Sequence, residues 1–511
     1  MKTRLGILFA VLFVGQLVMA QVHITVDNPD SWTAEALRPY IGQTVIFDVP
    51  MVICANANGN YVVSPWRRFQ PESHGLSGSD DYRSTVRINS SCMMNLSGVD
   101  ENGYRRRCGE KIIGLRATVN STTSLTMKGG TWSGNTRADL ENRLPELGDY
   151  RLLVCGFNLE NYYMTMGSMG AQTEAQHAIQ RQKVSKALKR INADIYGLVE
   201  LQQGDEAIAE IVADLNKNLP ERNYQYFHDG ASGTFQKVDY VYDANVVKPI
   251  SSAPAETNVE VQNRKKMMCF IEIATGERFI YSINHFKAMN TGDEERRVNE
   301  AKAVMKLYNS YRQARSVADK DVLIMGDLNC YAFTRPIQAF TENGFIDLHR
   351  AFHADSSYSY MFGGMASYID HAIVNATIYK QITGMSGYHI NSDEDDRYTY
   401  DKSGDPSMFR CSDHDPVLVG LKLDSTAVYD PSPQINSSEI LAGDSHKLII
   451  QNAYKEDIQS FYAIYAAEGW LVEQHEITSP LYEVDLPERP GVYIVYVYFN
   501  GEVFRRKMIV R

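Results

Sequence analysis

Val322-Leu323-Ile324-Met325-Gly326-Asp327-Leu328-Asn329-Cys330-Tyr331 is the stretch on which the fold of this 511-residue chain turns. Four consecutive apolar residues ended by Gly326 read as a buried strand whose C-terminal end opens onto something polar. In an extended segment Asp327 and Asn329, two positions apart, point to the same side. A carboxylate beside a carboxamide can hold a cation, orient a water or hydrogen-bond a phosphate oxygen. Gly, Asp and Asn also favour turns, so the neighbours decide between a plain turn and a site.

On both sides of this stretch strands and helices alternate. Arg151 to Gly156 reads as a strand ending at Phe157-Asn158. Val184, Ala187, Leu188 and Ile191 make one apolar helix face, and Ile195 to Val199 is a strand ending in Glu200. A hairpin of Phe270–Ile273 and Phe279–Ile283, turned at Thr275-Gly276-Glu277, leads into Asn284-His285-Phe286-Lys287. A helix over about Glu294 to Arg315 precedes the opening strand. Asp370 introduces the strand Ala372 to Val374, and Asp413-His414 lead into Val417 to Leu421. Six strand ends thus deliver polar groups: Asn158, Glu200, His285 with Lys287, Asp327 with Asn329, Asp370, and Asp413 with His414. Any one of them could be a turn former. Six in one α/β region predict a site built along one sheet edge. Carboxylates and carboxamides are oxygen ligands suited to Mg²⁺, Mn²⁺ or Ca²⁺, whereas zinc would want more His or Cys. Two histidines can supply base and acid, and a lysine can neutralise a phosphate. That inventory suits metal-assisted phosphoester hydrolysis.

The region resembles the endonuclease/exonuclease/phosphatase (DNase I-like) superfamily over residues 149 to 424, in the correct order. Within it the chain is similar to bacterial secreted multidomain nucleases. That narrower likeness rests on Asn284-His285-Phe286-Lys287, Gly326 to Ala332, Tyr368-Ile369-Asp370-His371-Ala372, His389-Ile390-Asn391-Ser392-Asp393-Glu394 and Arg410 to Val417. The resemblance implies two sheets packed face to face between helices. It also implies Glu200 as main ligand of Mg²⁺ (Mn²⁺ or Ca²⁺ as alternatives), with Asn158 and Asp413 close by. His414 would be general base or phosphate-stabilising imidazole, oriented by Asp370. Asp327 would position the attacking water or a second metal, and Asn329 would hold a non-bridging phosphate oxygen. His285 would lie near the leaving group, with Lys287 as a further phosphate contact. One departure matters: where some nucleases of this fold place an acidic partner for the first histidine, this chain has Gln236-Lys237, which leaves the protonation of His285 open. The tract Asp393 to Asp396 with Arg397 reads as a solvated acidic loop, with a second cation site as its alternative.

The flanks carry other information. Lys2 and Arg4, an apolar run from Leu5 to Met19, and Val18-Met19-Ala20 make residues 1–20 a cleavable signal peptide, so the expected location is outside the cytoplasm: extracellular, cell-surface or periplasmic. No later stretch approaches the ~20 apolar residues of a membrane span. Residues 21–147 read as an all-β domain, with an OB-like five-stranded barrel as one fit. The catalytic α/β region spans 148–424, residues 425–434 with two prolines are a linker, and 435–511 form a second all-β domain. The latter resembles type IX secretion sorting domains through Leu486-Pro487, Gly491 to Val495 and the Lys507-to-Arg511 ending, which implies a partner in the secretion machinery. Seven cysteines leave at least one unpaired within the chain; Cys92 and Cys108 bracket a turn-rich segment and could form a disulfide.

The net charge of −11 argues against a broad basic surface gripping nucleic acid by electrostatics alone, and leaves room for an anion held through a local divalent metal. The expected function is a secreted metal-dependent phosphodiesterase, a nuclease on DNA and also RNA. The alternatives are a phosphodiesterase or phosphatase for lipid headgroups or inositol phosphates, and a catalytically silent nucleic-acid-binding protein.

Overall fold

The computed structural model describes residues 21–27, 32–56, 60–70, 73, 90–99, 105–167, 169–228, 235–256, 264–289, 292–314, 317, 319–353, 356–395, 407–424, 439–442, 447–451, 460–466, 470–479, 481–499 and 502–510. Residues 1–20, read above as a signal peptide, the segment 425–434, read as a linker, and Asp396-Arg397 lie outside them.

The central region is an α/β sandwich of two sheets. One runs in the order Tyr224–Tyr226, Gln236–Asp243, Ile195–Gln202, Leu152–Tyr162, Val417–Leu421, Ile382–Gly387. The other runs Val247–Pro249, Lys265–Glu272, Arg278–His285, Val322–Asp327, Asp370–Val374, Ile346–Asp347. Strand alternation explains why these strands are apolar throughout rather than at every second position. Leu152, Val154, Ile195, Leu323 and Met325 face the other sheet. Leu153, Cys155, Tyr196 and Leu198 face helices Glu174–Ile191 and Glu206–Asn218. Val322 and Ile324 face helices Glu294–Tyr311 and Arg335–Thr341. The result is helix, sheet, sheet, helix. The sheets approach closely enough that a Cβ on Gly197 would lie 2.2 Å from the Tyr281 hydroxyl.

Residues 22–133 form a seven-stranded all-β sheet in which five strands close on themselves: Met51–Ala55, Tyr61–Ser64, Met94–Ser97, Ser124–Ser133 and Lys111–Ser121, which pairs back to the first. At the C-terminal end lie a three-stranded and a four-stranded sheet; the four-stranded one packs through Phe461, Tyr465 and Tyr498 against Ile346, Leu348 and Ile378 of the central region.

Three expectations need correction. The strand does not stop at Gly326 but runs through Asp327. Gly326 has φ +126, and a Cβ there would lie 2.0 Å from the Asn284 carbonyl oxygen, so glycine keeps the two strands in register rather than ending one. Cys92 and Cys108 do not pair; both are free and buried, and their thiols donate to the carbonyls of Trp32 and Cys54. The tract from Asp393 is not solvated: Asp393, Glu394 and Asp395 are 0, 2 and 1% exposed, gripped by arginines of the N-terminal sheet.

Candidate active site

The strand directions gather the polar ends. Leu152–Tyr162 and Ile195–Gln202 are parallel, as are Arg278–His285 and Val322–Asp327. Their C-terminal ends therefore open on one edge. Asp370–Val374 and Val417–Leu421 run antiparallel to them, so it is their N-terminal ends, Asp370 and the Asp413-His414 segment, that reach the same edge. In register, Asp327 sits between His285 on one side and Asp370 on the other.

Asp327 is the hub. It is 2% exposed; its Oδ1 accepts the Asn329 backbone N–H at 2.9 Å, and its Oδ2 accepts from Asn158 Nδ2 at 3.1 Å and Asn329 Nδ2 at 3.2 Å. His285 Nε2 lies 3.6 Å and His414 Nε2 3.9 Å from that same Oδ2. Burial, with the Asp370 and Glu200 charges against the opposing pull of His414, pushes its carboxyl up to about 7. Asn329 stands at φ +48, so the segment is an Asx-type turn and not extended; the turn and the site are the same object.

The two histidines are held in opposite states. His414 Nδ1 lies 2.8 Å from Asp370 Oδ2, and Ser359 Oγ donates to that same carboxylate oxygen at 2.7 Å. Burial alone would lower the His414 pKa, but Asp370, Asp413 and Asp327 together raise it well above the usual histidine range, which favours the protonated ring. His285 Nδ1 instead meets Arg264 Nη1 at 2.8 Å. A guanidinium only donates, so Nδ1 accepts and the proton sits on Nε2, facing Glu200 Oε1 at 3.7 Å and Asp327. Burial and then the Arg264 charge push the His285 pKa well below its ordinary value. Gln236 Oε1 accepts from Arg264 Nη1 at 2.7 Å, which settles what replaces the acidic partner: an amide that steers a cation, leaving His285 neutral.

Glu200 stands at φ +64 and its Oε2 accepts the Asn161 N–H at 2.9 Å. Burial and Asp413 raise its carboxyl. Glu160, also left-handed at φ +52, is raised to about 8 by burial and Asp413. Non-glycine residues in this backbone region at a strand end are strained and cluster at functional sites. Lys287 is not brought into the cluster; its Nζ lies 4.0 Å from Asp293. Arg264, Ser359 and Tyr360, whose ring centroid is 4.9 Å from that of His414, belong to the site and were missed by sequence reasoning, since Arg264 and Ser359 lie outside strands and helices and Tyr360 opens a three-residue strand too short to carry a periodic signal.

The donor set fits a hard divalent cation. Ligand atoms of Glu200, His285 and Asp327 lie within 4.8 Å of one another, as do those of Asp327, Asp370 and His414. His285 Nε2, carrying its proton, is a poor ligand, so the oxygens of Glu200 and Asp327, with Asn158 and Asp413 adjoining, would hold the ion. Burial first, and then neighbouring carboxylates, raise the Glu200 and Asp327 carboxyls, and a cation bound between them would offset both effects.

The profile of the Endonuclease/Exonuclease/phosphatase family matches residues 157–414, just over half of the chain, and encloses every one of these groups. The chain belongs to the endonuclease/exonuclease/phosphatase family. It is accordingly a metal-dependent phosphoester hydrolase. No curated protein matches it significantly. Among solved structures, a mannosyl-6-phosphatase of Bacteroides thetaiotaomicron is 18% identical, with 53% of this chain and 100% of that chain covered, at TM-score 0.37. The human Nocturnin catalytic domain is 12% identical, covering 53% and 94%, at TM-score 0.38. A family member from Bacteroides thetaiotaomicron is 18% identical, covering 55% and 99%, at TM-score 0.38. Among the described residues no helix is long and apolar enough to cross a membrane.

Arg264→Ala should raise the pKa of His285 and cost ~10-fold or more in kcat through a changed protonation state near the leaving group. The NMR titration of the His285 ring and the turnover rate check it together; an unmoved His285 titration would remove Arg264 from the site.

Proposed function

We propose that this chain is an exported, Mg²⁺-dependent nuclease hydrolysing DNA, and RNA in addition. The observation that carries the phosphodiester reading is the single edge where Asp327, the His414–Asp370 pair, Glu200 and Asn158 converge. For nucleic acid in particular, the support is aromatic. Phe235, 77% exposed, directly precedes Gln236, which bonds Arg264. Phe362, 67% exposed, lies on the short hairpin that begins with Tyr360, on the His414 side. Exposed rings close in the chain to residues of a phosphate site can serve as stacking platforms for bases.

The residues divide the work. Asp327 orients the attacking water and accepts its proton. His414, anchored by Asp370, which favours its protonated form, stabilises the negative charge developing on the phosphate. His285 donates from Nε2 toward the leaving-group side. A divalent ion, when bound, polarises the phosphate and offsets its charge. Asn329 has its carboxamide committed to Asp327 and Phe286, so it acts on phosphate through Asp327 in this reading. The signal peptide supports export, and the C-terminal β region is read as a module for secretion or surface attachment. The five-stranded N-terminal ring is read as OB-like.

A panel of plasmid DNA, linear DNA, RNA, sphingomyelin and inositol phosphates with Mg²⁺ tests the substrate. Cleavage of DNA at rates well above the lipid and inositol arms is expected; preference for either of those arms would replace the nuclease reading.

A further inference from the structure

Loops of the N-terminal β region and the short helix Arg137–Asn142 that follows it grip the acidic tract. Arg107, fully buried, pairs with Glu394 Oε1 at 2.6 Å and donates to the His389 carbonyl at 2.5 Å. Arg67 pairs with Asp393 Oδ1 at 2.5 Å. Arg137 pairs with Glu394 Oε2 at 2.5 Å. The Asp393 carbonyl accepts from Cys108 N at 2.9 Å and Asn56 Nδ2 at 3.0 Å. Burying such charges is weak evidence for stability, because desolvation cancels most of the attraction. What they do supply is a fixed geometry for the loop they hold.

That loop holds the His414 segment. Asn391 Nδ2 donates to the His414 carbonyl at 2.7 Å. Asp415 accepts from the N–H groups of Asn391 and Ser392 at 2.8 and 2.9 Å, and His389 Nδ1 lies 2.9 Å from its other oxygen. A second limb reaches the partner of His414. Ala366 exchanges backbone hydrogen bonds with Arg68 and Gln70 of the N-terminal sheet, both at 2.8 Å. Ser359, whose N–H donates to Ser367 on the same hairpin, bonds Asp370 through its hydroxyl and takes the Asp415 N–H on its carbonyl. Tyr358 closes the two limbs, its hydroxyl donating to Asp393 Oδ2 at 2.8 Å.

We propose that Arg107, Glu394, Arg67 and Asp393 are positioning residues for the His414–Asp370 pair, so that the N-terminal β region is part of the catalytic apparatus. The proposal rests on the reading of His414 as a catalytic group. A reader domain and a positioning domain differ on a substrate too small to touch the N-terminal sheet. Small misplacements of a catalytic group cost large rate factors without changing binding.

The experiment uses the full chain with Mg²⁺ and bis(p-nitrophenyl) phosphate. Glu394→Gln and Arg107→Met should each lower kcat by ~10-fold or more with KM within about twofold. Tyr358→Phe, which removes one hydroxyl, should lower kcat in the same direction by less. Arg107→Met combined with Glu394→Met should recover part of the loss, because no charge is left buried alone. Arg116→Met, on the exposed face of the same sheet, should leave kcat unchanged. Should Arg107→Met fail to fold, Glu394→Gln and Tyr358→Phe decide. Wild-type kcat in folded Glu394→Gln and Tyr358→Phe, with slowed cleavage of long DNA only, would make the N-terminal region a reader and overturn the proposal. Wild-type turnover in His414→Ala would instead sink the site assignment on which it rests.

Discussion

Replacing His414 with alanine should lower kcat by ~10²-fold or more, about 2.7 kcal/mol of transition-state stabilisation, while leaving KM nearly unchanged. The reason is charge. With Asp370 2.8 Å from Nδ1 and Asp327 and Asp413 each 3.9 Å from Nε2, this ring is the cation held in place among three carboxylates. Its removal subtracts positive charge where the phosphate becomes more negative, and it leaves Asp370 buried against Ser359 alone. Asp370→Asn should reproduce much of the loss by a different route, because the amide no longer favours the imidazolium. The double variant His414→Ala/Asp370→Asn should then be barely worse than the worse single variant, since groups acting as a unit are not additive. Steady-state kinetics on bis(p-nitrophenyl) phosphate and on plasmid DNA measure all three. Independent, multiplying losses in the double variant would show that the two side chains do not work together.

The pair was legible in the sequence because two simple regularities point at it. Asp370 and His414 each adjoin an apolar run, and a strand end beside a parallel or antiparallel neighbour has only two edges to reach. Asn158, Glu200, His285 and Asp327 came out by the same logic. Fold class followed from the alternation of strands buried on both faces with one-sided helices such as Glu174–Ile191. What failed to show were the groups fixed by tertiary contact alone. Arg264 precedes a strand in a basic run, Arg264-Lys265-Lys266, and nothing local distinguishes the arginine that meets His285 from its neighbours. The acidic tract misled for a related reason: four consecutive acidic residues look solvated until a distant segment supplies buried arginines, and Arg107 lies 287 positions from Glu394. Lys287 erred the opposite way, adjacent in sequence to His285 and yet turned toward Asp293. Glu200 and Asn329 share a signal that sequence cannot display, a left-handed backbone at a strand end, which places their side chains where extended geometry would not.

Removing divalent metal should abolish turnover altogether, and Mg²⁺ or Mn²⁺ should restore it, whereas the fold should survive the chelator. The two halves of this expectation come from different parts of the molecule. Loss of activity follows from the crowding of Glu200, Asp327 and Asp413: burial and neighbouring carboxylates raise the Glu200 and Asp327 carboxyls, and without a cation this acidic edge repels an anionic phosphate. Survival of the fold follows from where the core sits. Leu152, Val154, Ile195, Leu323 and Met325 pack between the sheets, and fully buried side chains of this kind contribute roughly 1.5–3 kcal/mol each, independent of any ion at the edge. Circular dichroism with and without EDTA should therefore coincide, with only a modest shift in melting temperature from ligand linkage. Glu200→Ala separates ligation from folding: its Mg²⁺ affinity should fall together with turnover by ~10²-fold or more, with rescue by excess metal incomplete because a ligand oxygen is gone. Calorimetric titration of Mg²⁺ into both proteins reads the affinity directly. Turnover that persists in EDTA, or Mg²⁺ binding to Glu200→Ala as tight as to the wild type, would move the metal away from this edge and leave Asp327 and His414 to do the chemistry unaided.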